Sequence, residues 1–158
     1  MITIIRADYN KRQHGDDILT LLDAYARDPM GGGQPLSVYT REHLISQLAQ
    51  YNGISLIAYN GGKAVGLLNA FTGFSTFACK PLINIHDLTV LPDYRGRGIS
   101  MLLLNKIEEI ARENDCCKLT LEILSGNKIA ASAYKKFGFS GYELDPQAGR
   151  AEFWEKKI

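Results

Sequence analysis

The sequence predicts a mixed α/β fold, in which short strands alternate with amphipathic helices. Three observations support this prediction. Apolar residues recur at helical spacing over 98–113, which predicts a long helix with one apolar face. The dipeptide Asn60-Gly61 separates two short apolar segments, as is typical of a β-hairpin. No linker, internal repeat or low-complexity tract divides the chain, so we expect residues 1–158 to form a single domain.

The N-terminal part of the chain predicts three strands and two helices. Apolar recurrence predicts helices over 16–27 and 40–50, with Thr40 as the N-cap of the second. Two prolines and three glycines make residues 28–36 a loop between these helices. The predicted strands are residues 2–7, 55–59 and 62–68, and the Asn-Gly turn makes the last two antiparallel neighbours.

The C-terminal part of the chain continues the alternation. It predicts the long helix over 98–113 and a short helix over 127–137, which Gly138 ends as a C-terminal cap. The predicted strands are residues 83–90, 118–124, 139–144 and 151–156.

Composition and charge argue against several classes of protein. The formal net charge is +1 and the basic residues are scattered among acidic ones, so we expect no nucleic-acid partner. No apolar run approaches the roughly 18 residues of a membrane-spanning helix, and the first residues do not read as a signal peptide. Cys79, Cys116 and Cys117 lack the spacing of a zinc site or a disulfide framework, and we expect the last two to be buried. These features predict a cytoplasmic protein without a metal site.

A glycine-rich turn joins the strand at 83–90 to the helix that follows it. A helix start presents unpaired backbone N–H groups, and Gly96 and Gly98 allow an anion to approach the backbone closely. Arg95 and Arg97 add positive charge. We call residues 95–100 the anion cradle. It lacks the Gly-Lys-Ser/Thr ending of a phosphate-binding P-loop and the third glycine of the dinucleotide fingerprint, which disfavours a nucleotide-dependent oxidoreductase.

Residues 88–100, LTVLPDYRGRGIS, resemble the acetyl-CoA-binding motif of the GCN5-related N-acetyltransferases. That motif reads Arg or Gln, two residues, Gly, one residue, then Gly or Ala. Arg95 and Gly98 fit its first two places, and Ser100 occupies the third; serine is small and keeps its N–H, so we expect binding to survive. Asn127 followed by residues 133–139, AYKKFGF, resembles the family's later motif, whose tyrosine lies near the cofactor sulfur.

The resemblance implies a mostly antiparallel sheet flanked by helices, with two central parallel strands splayed apart for acetyl-CoA. It further implies that strand backbone pairs with the pantetheine arm and that the N–H groups of residues 97–100 meet the pyrophosphate. The cofactor-binding residues that the resemblance implies are Leu88, Thr89, Val90, Arg95, Gly96, Arg97, Gly98, Ile99, Ser100 and Asn127.

Acetyl transfer to an amine by direct attack in a ternary complex needs an acid and a base. The resemblance makes Tyr134 the acid for the leaving thiolate, although a packed aromatic ring is the alternative role for it. His86 is our first choice of base, since it resembles the histidine at this place in arylalkylamine N-acetyltransferases. Strand alternation puts His86 on the face with Asn84 and Leu88, and Asp87 on the other face unless a bulge intervenes.

Glu122 is the alternative base. It reads as a mid-strand residue among apolar neighbours, where burial would raise its pKa. A structural role for either His86 or Glu122 stays open on the sequence.

The acceptor is a small amine or an amine of a peptide or protein, and the sequence does not choose between these. The loop at 25–33 and the aromatic segment at 71–79 are candidate acceptor-binding segments, though the latter also fits a strand packed on the core. A homodimer fits the resemblance, because dimers are common in the family. The alternative function is a non-enzymatic acyl-CoA-binding sensor that keeps the cradle without turnover.

Overall fold

A five-stranded sheet is the scaffold of the computed structural model, which describes residues 1–158. The strand order is β1-β2-β3-β4-β5, with antiparallel neighbours up to β4 and a parallel β4–β5 pair. The prediction of a mixed, mostly antiparallel sheet flanked by helices is confirmed. The strands are β1 (Ile2–Arg6), β2 (Ile54–Asn60), β3 (Lys63–Ser75), β4 (Lys80–Val90) and β5 (Leu119–Leu121).

Four α-helices accompany the sheet. They are α1 (Arg12–Arg27), α2 (Val38–Gln50), α3 (Ile99–Glu113) and α4 (Lys128–Phe137). The predicted cap of α2 is wrong by three residues, because the Ser37 hydroxyl oxygen accepts the Thr40 N–H at 3.1 Å and the helix therefore begins at Val38. None of the helices combines the length and the apolar character needed to cross a membrane.

The chain groups into two compact units, Met1–Leu121 and Glu122–Ile158. In the first unit, helices cover both faces of the sheet. One face packs against α1 and α2 through a buried cluster of Ile18, Leu21, Leu48, Ile57 and Leu67. The other face packs against α3, since a Cβ added at Gly66 would lie 3.2 Å from Ile99 and 3.3 Å from Leu103. Burying each large side chain contributes about 1.5–3 kcal/mol, so these two layers hold the sheet that carries the site.

The β2–β3 hairpin confirms the antiparallel prediction but places its turn one residue later. Asn60 pairs with Lys63, and Gly61 and Gly62 occupy the turn at φ 56° and 84°. Asn60 therefore belongs to the strand, and the two glycines supply the positive φ angles that such a turn requires.

The β3–β4 hairpin is longer than the sequence predicted. β3 continues to Ser75, inside the aromatic segment at 71–79, and β4 begins at Lys80, with Phe71 half-buried on β3. Phe74 and Phe77 are 61% and 94% exposed, so a core role for these two rings is wrong. Cysteine burial is also mispredicted in part, because Cys117 is exposed and Cys116 is half-buried.

The second unit contains α4 but no strand. The two strands predicted at 139–144 and 151–156 are wrong: one backbone hydrogen bond, from the Ala151 N–H to the Tyr142 carbonyl at 3.3 Å, joins these segments instead of a ladder. Gly141 lies inside the first segment, and a glycine within a strand weakens its pairing. The strand predicted over 118–124 shortens to β5, which ends at Leu121.

Candidate active site

The C-terminal end of β4 has an edge that no strand covers. β5 pairs with β4 only from Ile83 to Ile85, and β4 then continues to Val90. Parallel pairing therefore stops five residues before the end of β4. The resemblance implied two parallel strands that splay apart, and such a splay requires an unpaired stretch of this kind.

The backbone groups at this edge have a defined direction. The Leu91 N–H donates to the Val65 carbonyl on the β3 side at 2.9 Å. Because bonded and non-bonded pairs alternate along an antiparallel ladder, Thr89 also faces β3, and Leu88 and Val90 face the uncovered edge. An extended amide ligand can pair with those two residues as a strand would.

The anion cradle follows β4 directly. Gly96 and Gly98 adopt φ angles of 74° and 76°, and a Cβ added at either would meet no atom within 4 Å. Gly98 is the N-cap of α3, no side chain caps the helix, and its first turn contains no acidic residue. The start of α3 therefore has no side-chain acceptor for its first N–H groups, and open space borders the two glycines, as an anion site at a helix start requires.

The two arginines of the cradle are held by the chain itself. Arg95 donates from Nε to the Val90 carbonyl at 2.9 Å and from Nη2 to Asp28 Oδ2 at 3.0 Å. Arg97 donates from Nη2 to the Asp93 carbonyl at 2.9 Å, and its guanidinium lies 5.2 Å from the Tyr94 ring centre. Arg95 thus ties the end of β4 to the loop after α1.

A β-bulge at His86 changes the predicted arrangement of side chains. Asn69 pairs with Asp87 and Ala70 pairs with Ile85, so His86 is the extra residue on β4. The bulge shifts the alternation by one position, which places Asp87 on the face that carries Asn69. The prediction that Leu88 shares this face is wrong, because Leu88 opposes Leu68 on the other face.

His86 lies on the α1 side of the sheet. Its ring meets Phe71 edge-on, with 4.9 Å between ring centres and 74° between planes. Asn84, which pairs with Phe71, shares this face, as the sequence predicted. The side chain of His86 is exposed, so solvent can reach the imidazole.

A line of buried hydrogen bonds runs across the sheet to Asp87. The Tyr9 hydroxyl lies 3.0 Å from Ser55 Oγ, Ser55 Oγ donates to Asn69 Oδ1 at 2.6 Å, and Asn69 Nδ2 donates to Asp87 Oδ2 at 3.0 Å. Ser55 and Asn69 are 1% and 2% exposed. We call Tyr9, Ser55, Asn69 and Asp87 the polar line.

Burial raises the pKa of Asp87 above its usual range, although the hydrogen bond from Asn69 and the charge of His86 oppose the shift. Tyr25 on α1 also has a raised pKa, first from burial and then from the negative charges of Asp87 and Asp28. The Tyr25 hydroxyl and the two carboxylates therefore interact electrostatically at this face.

The loop between α1 and α2 is anchored by two aspartates. Asp28 accepts the Met30 N–H at 2.9 Å and pairs with Arg95, which together lower its pKa. Asp23 accepts hydrogen bonds from the side chains of Arg27 and Arg41 and from the Leu36 N–H, and these lower its pKa to about 2. The candidate acceptor loop is thus tied at both ends.

The remaining predicted site residues lie in the second unit. Asn127 caps α4 by accepting the Ala130 N–H at 3.1 Å. Tyr134 is half-buried in α4 and meets the Phe139 ring edge-on at 5.8 Å between ring centres. Glu122 follows β5 and is exposed, so the burial predicted for it is wrong. The roles of these three residues stay predictions.

Sequence reasoning missed Asp87 and its partners. A signal was present: buried or half-buried apolar residues of β4 occur at 83, 85, 88 and 90. The step of three between Ile85 and Leu88 breaks the period of two and leaves His86 and Asp87 side by side, as a bulge does. Nothing in β2 or β3 marked Ser55 and Asn69 as partners of Asp87.

The candidate site thus combines an open strand edge, a glycine cradle at a helix start and a bulge that carries His86 and Asp87. The family model of the acetyltransferase (GNAT) family matches residues 9–139. The chain therefore belongs to the GNAT acetyltransferase family.

Two relatives and one solved structure illustrate the match. The uncharacterized N-acetyltransferase YhfO of Bacillus subtilis is 30% identical over 65% of this chain and 66% of its own length. The thialysine N-epsilon-acetyltransferase of Bos taurus is 39% identical over 35% of this chain and 33% of its own length. The chain thus matches less than two thirds of either relative. A crystal structure of a probable acetyltransferase superposes with a TM-score of 0.80 at 19% identity, covering 99% of this chain and 97% of that one, which shows the shared fold.

Proposed function

We propose that this protein is an acetyl-CoA-dependent N-acetyltransferase that acts on a primary amine by direct attack in a ternary complex. The observation that carries the proposal is the junction at the end of β4, where an uncovered strand edge runs into a glycine cradle at a helix start. An amide-containing arm and a pyrophosphate, joined in one molecule, fit that junction.

The hydrogen-bonding groups of the junction are of the types that acetyl-CoA would need. A strand edge at Leu88 and Val90 would hold the pantetheine amides, and the N–H groups of residues 97–100 would hold the pyrophosphate. Ser100 keeps a backbone N–H in the first turn of α3, so the departure from the family pattern leaves the donor in place. Acetyl-CoA supplies an acetyl group activated as a thioester.

Three side chains are proposed for proton handling. An alkylamine has a pKa of about 10.4, so it must lose a proton before it can attack. The exposed imidazole of His86 can take that proton through water, and Glu122 is the alternative base. The Tyr134 phenol is the proposed proton donor for the departing thiolate.

The first experiment measures free thiol released from acetyl-CoA by the purified protein. The acceptors are thialysine, 1,4-diaminobutane and a lysine-containing peptide with a free N-terminus, beside a reaction without acceptor. We expect acceptor-dependent release. Calorimetric binding of acetyl-CoA without release by any amine supports the sensor alternative, and an absence of binding refutes the cofactor site.

The two candidate bases are separated by pH–rate profiles. His86→Ala is expected to remove the acidic limb of the kcat/KM profile, whereas Glu122→Gln is expected to keep it. Both variants replace exposed side chains, so thermal melting should stay close to that of the native protein. If only Glu122→Gln removes the limb, the base is Glu122; if neither does, both assignments are wrong.

Tyr134→Phe tests the proposed acid. The substitution keeps the ring that packs on Phe139 and removes the hydroxyl. We expect kcat to fall about 100-fold, the lower end for general acid catalysis, with little change in the dissociation constant of acetyl-CoA. A kcat equal to that of the native protein across the pH range contradicts the acid role.

A further inference from the structure

The polar line is an unusual feature for the interior of this sheet. Apart from Thr89, Ser55 and Asn69 are the buried polar residues of the chain, and they lie on the face where Ile57 and Leu67 join the core. Burying polar groups costs free energy that apolar side chains in the same places would not cost. A requirement other than stability therefore accounts for them best.

The hydrogen bonds of the polar line run in one direction. Asn69 Oδ1 can only accept, so the Ser55 hydroxyl proton is committed to it, and Ser55 Oγ is left to accept from Tyr9. The Tyr9 hydroxyl also lies 2.8 Å from the Gly53 carbonyl, so its proton is shared between two acceptors. The Asn69 amide, whose oxygen accepts from Ser55, presents Nδ2 to Asp87.

This direction matters for the charge state and orientation of Asp87. A donor at Oδ2 favours the carboxylate form, whereas a flipped Asn69 would set its oxygen against the carboxylate. Oδ2 is thereby engaged, whereas Oδ1 is not a buried atom without a partner and the half-buried carboxyl leaves it within reach of solvent. The hydrogen bond from Asn69 therefore holds the Asp87 carboxyl in one orientation and leaves its second oxygen for a ligand.

The surroundings of Asp87 suit an organic cation. His86 and Phe71 form an aromatic edge on the same face, and Tyr25 from α1 interacts with both Asp87 and Asp28. His86 neighbours Asp87 in the bulge, and its side chain is exposed to solvent. A carboxylate bordered by aromatic rings attracts alkylammonium groups through charge and through the ring faces.

We propose that Tyr9, Ser55 and Asn69 are positioning residues that hold Asp87 so that its Oδ1 receives the ammonium group of a cationic acceptor. The proposal rests on the N-acetyltransferase function and deepens it, because it selects acceptors that arrive as alkylammonium ions. It concerns binding and orientation of the acceptor, and it adds no chemical step.

The test follows the carboxyl carbon of Asp87 by NMR in protein labelled with ¹³Cγ-aspartate at constant pH 7, with CoA present. The probes are 1,4-diaminobutane, a dication, and 1,4-butanediol, its neutral counterpart of similar shape. We expect a saturating shift of the Asp87 resonance with the diamine and none with the diol. Asp87→Asn identifies the resonance, and the other aspartate resonances report non-specific binding.

Variants of the polar line then separate positioning from folding. Ser55→Ala frees the Asn69 amide to flip and is expected to weaken diamine binding about tenfold, as loss of a charge-assisted hydrogen bond does. Ser55→Thr keeps the hydroxyl and should restore most of the affinity, and Tyr9→Phe should give an intermediate loss. Ser46→Ala is the matched control, since it removes a serine hydroxyl that donates to the His43 carbonyl within α2 and has no contact with the polar line.

Specific outcomes overturn the inference. A diamine that leaves the Asp87 resonance unmoved refutes the binding role, and affinities equal to the native value in Ser55→Ala and Tyr9→Phe refute the positioning role. Diamine binding at Asp87 in a protein that acetylates no amine contradicts the proposed function but supports the cation site. Turnover of 1,4-diaminobutane at native kcat/KM by Asp87→Asn contradicts the cation site alone.

Discussion

Two aspartates of this protein show how local contacts decide what a carboxylate does for the fold. Asp23 accepts three donors and its pKa falls to about 2, so its charged form is favoured in the folded state. Asp87 accepts a single hydrogen bond in a largely buried position, and its pKa is raised. One carboxylate stabilises the native state at neutral pH, whereas the other is retained there at a cost in stability.

Asp87→Asn is expected to leave the protein as stable as the native form at pH 7, or more stable, while acetyl transfer to a cationic acceptor is lost. Because the pKa of Asp87 is higher in the folded than in the unfolded state, its contribution to stability falls as pH rises from about 4 through the folded-state value. The advantage of the variant should therefore grow from pH 4 to pH 7 in urea unfolding experiments. A variant less stable than native at pH 7 and equally stable at pH 4 contradicts this prediction.

Asp23→Asn is expected to show the opposite dependence of stability on pH. The pKa of Asp23 is lowered, so its stabilising contribution is present above the unfolded value of 3.8 and is lost as pH falls toward 2. We expect the variant to lose about 1–2 kcal/mol of unfolding free energy at pH 7 and progressively less below pH 4. A loss that is constant between pH 2 and pH 7 would show that the Asp23 charge is not its source.

Sequence patterns were sufficient to predict the positions of single helices. The apolar stripe of α3 and the caps of α4 depend on neighbours within a few positions, so the sequence placed both helices within a residue or two. The cradle glycines were named from the sequence for their missing Cβ, and the structure adds that both adopt positive φ angles at the start of α3. These features depend on short stretches of sequence. The resemblance to a family supplied their expected role in cofactor binding.

Features that depend on pairing between distant segments could not be predicted in the same way. The bulge at His86 arises from the register between β3 and β4, and the polar line joins residues 46 and 14 positions apart before it reaches Asp87. β3 extends to Ser75, inside the aromatic segment at 71–79, and composition alone did not predict where this strand ends. In contrast, residues 139–144 have strand-like composition but form no ladder.

Gly98→Ala tests whether the start of α3 binds the anion. An alanine at φ 76° costs about 1 kcal/mol of stability, and its Cβ would occupy the open space in which the pyrophosphate is proposed to lie. We expect CoA affinity to fall at least tenfold by calorimetry. Gly61→Ala is the matched control, because it has φ 56° with equally open space in a hairpin turn. Its stability should fall similarly and its CoA affinity should not change; equal affinity losses in both variants would contradict the cradle.

At the scale of the molecule, β4 is where the separate parts of the first unit meet. Its bulge presents His86 and Asp87, its uncovered edge leads to the cradle, and its last carbonyl, on Val90, accepts Arg95. Arg95 also holds Asp28 at the start of the loop between α1 and α2. The first residue of the cofactor motif therefore links the proposed acceptor loop to the proposed cofactor site.

Arg95→Gln should loosen the acceptor loop with little effect on global stability. The Gly33 N–H donates to the Asp28 carbonyl and the Gln34 N–H to the Ala26 carbonyl, so hydrogen exchange at these amides reports how firmly the loop is held. We expect both to exchange about fivefold faster, because a partly exposed ion pair contributes at most about 1 kcal/mol. Asp28→Asn keeps the side-chain oxygen that caps Met30 but loses the charge, and should give the same effect.

The double variant decides whether the two residues act together. Exchange in Arg95→Gln/Asp28→Asn should be no faster than in either single variant, since both substitutions break one interaction. Lys80→Gln provides the control, because it breaks an ion pair with Asp115 at the other end of β4 and should leave Gly33 and Gln34 unchanged. Additive acceleration in the double variant would show that Arg95 and Asp28 order the loop independently, and the link between the acceptor loop and the cofactor motif would then be wrong.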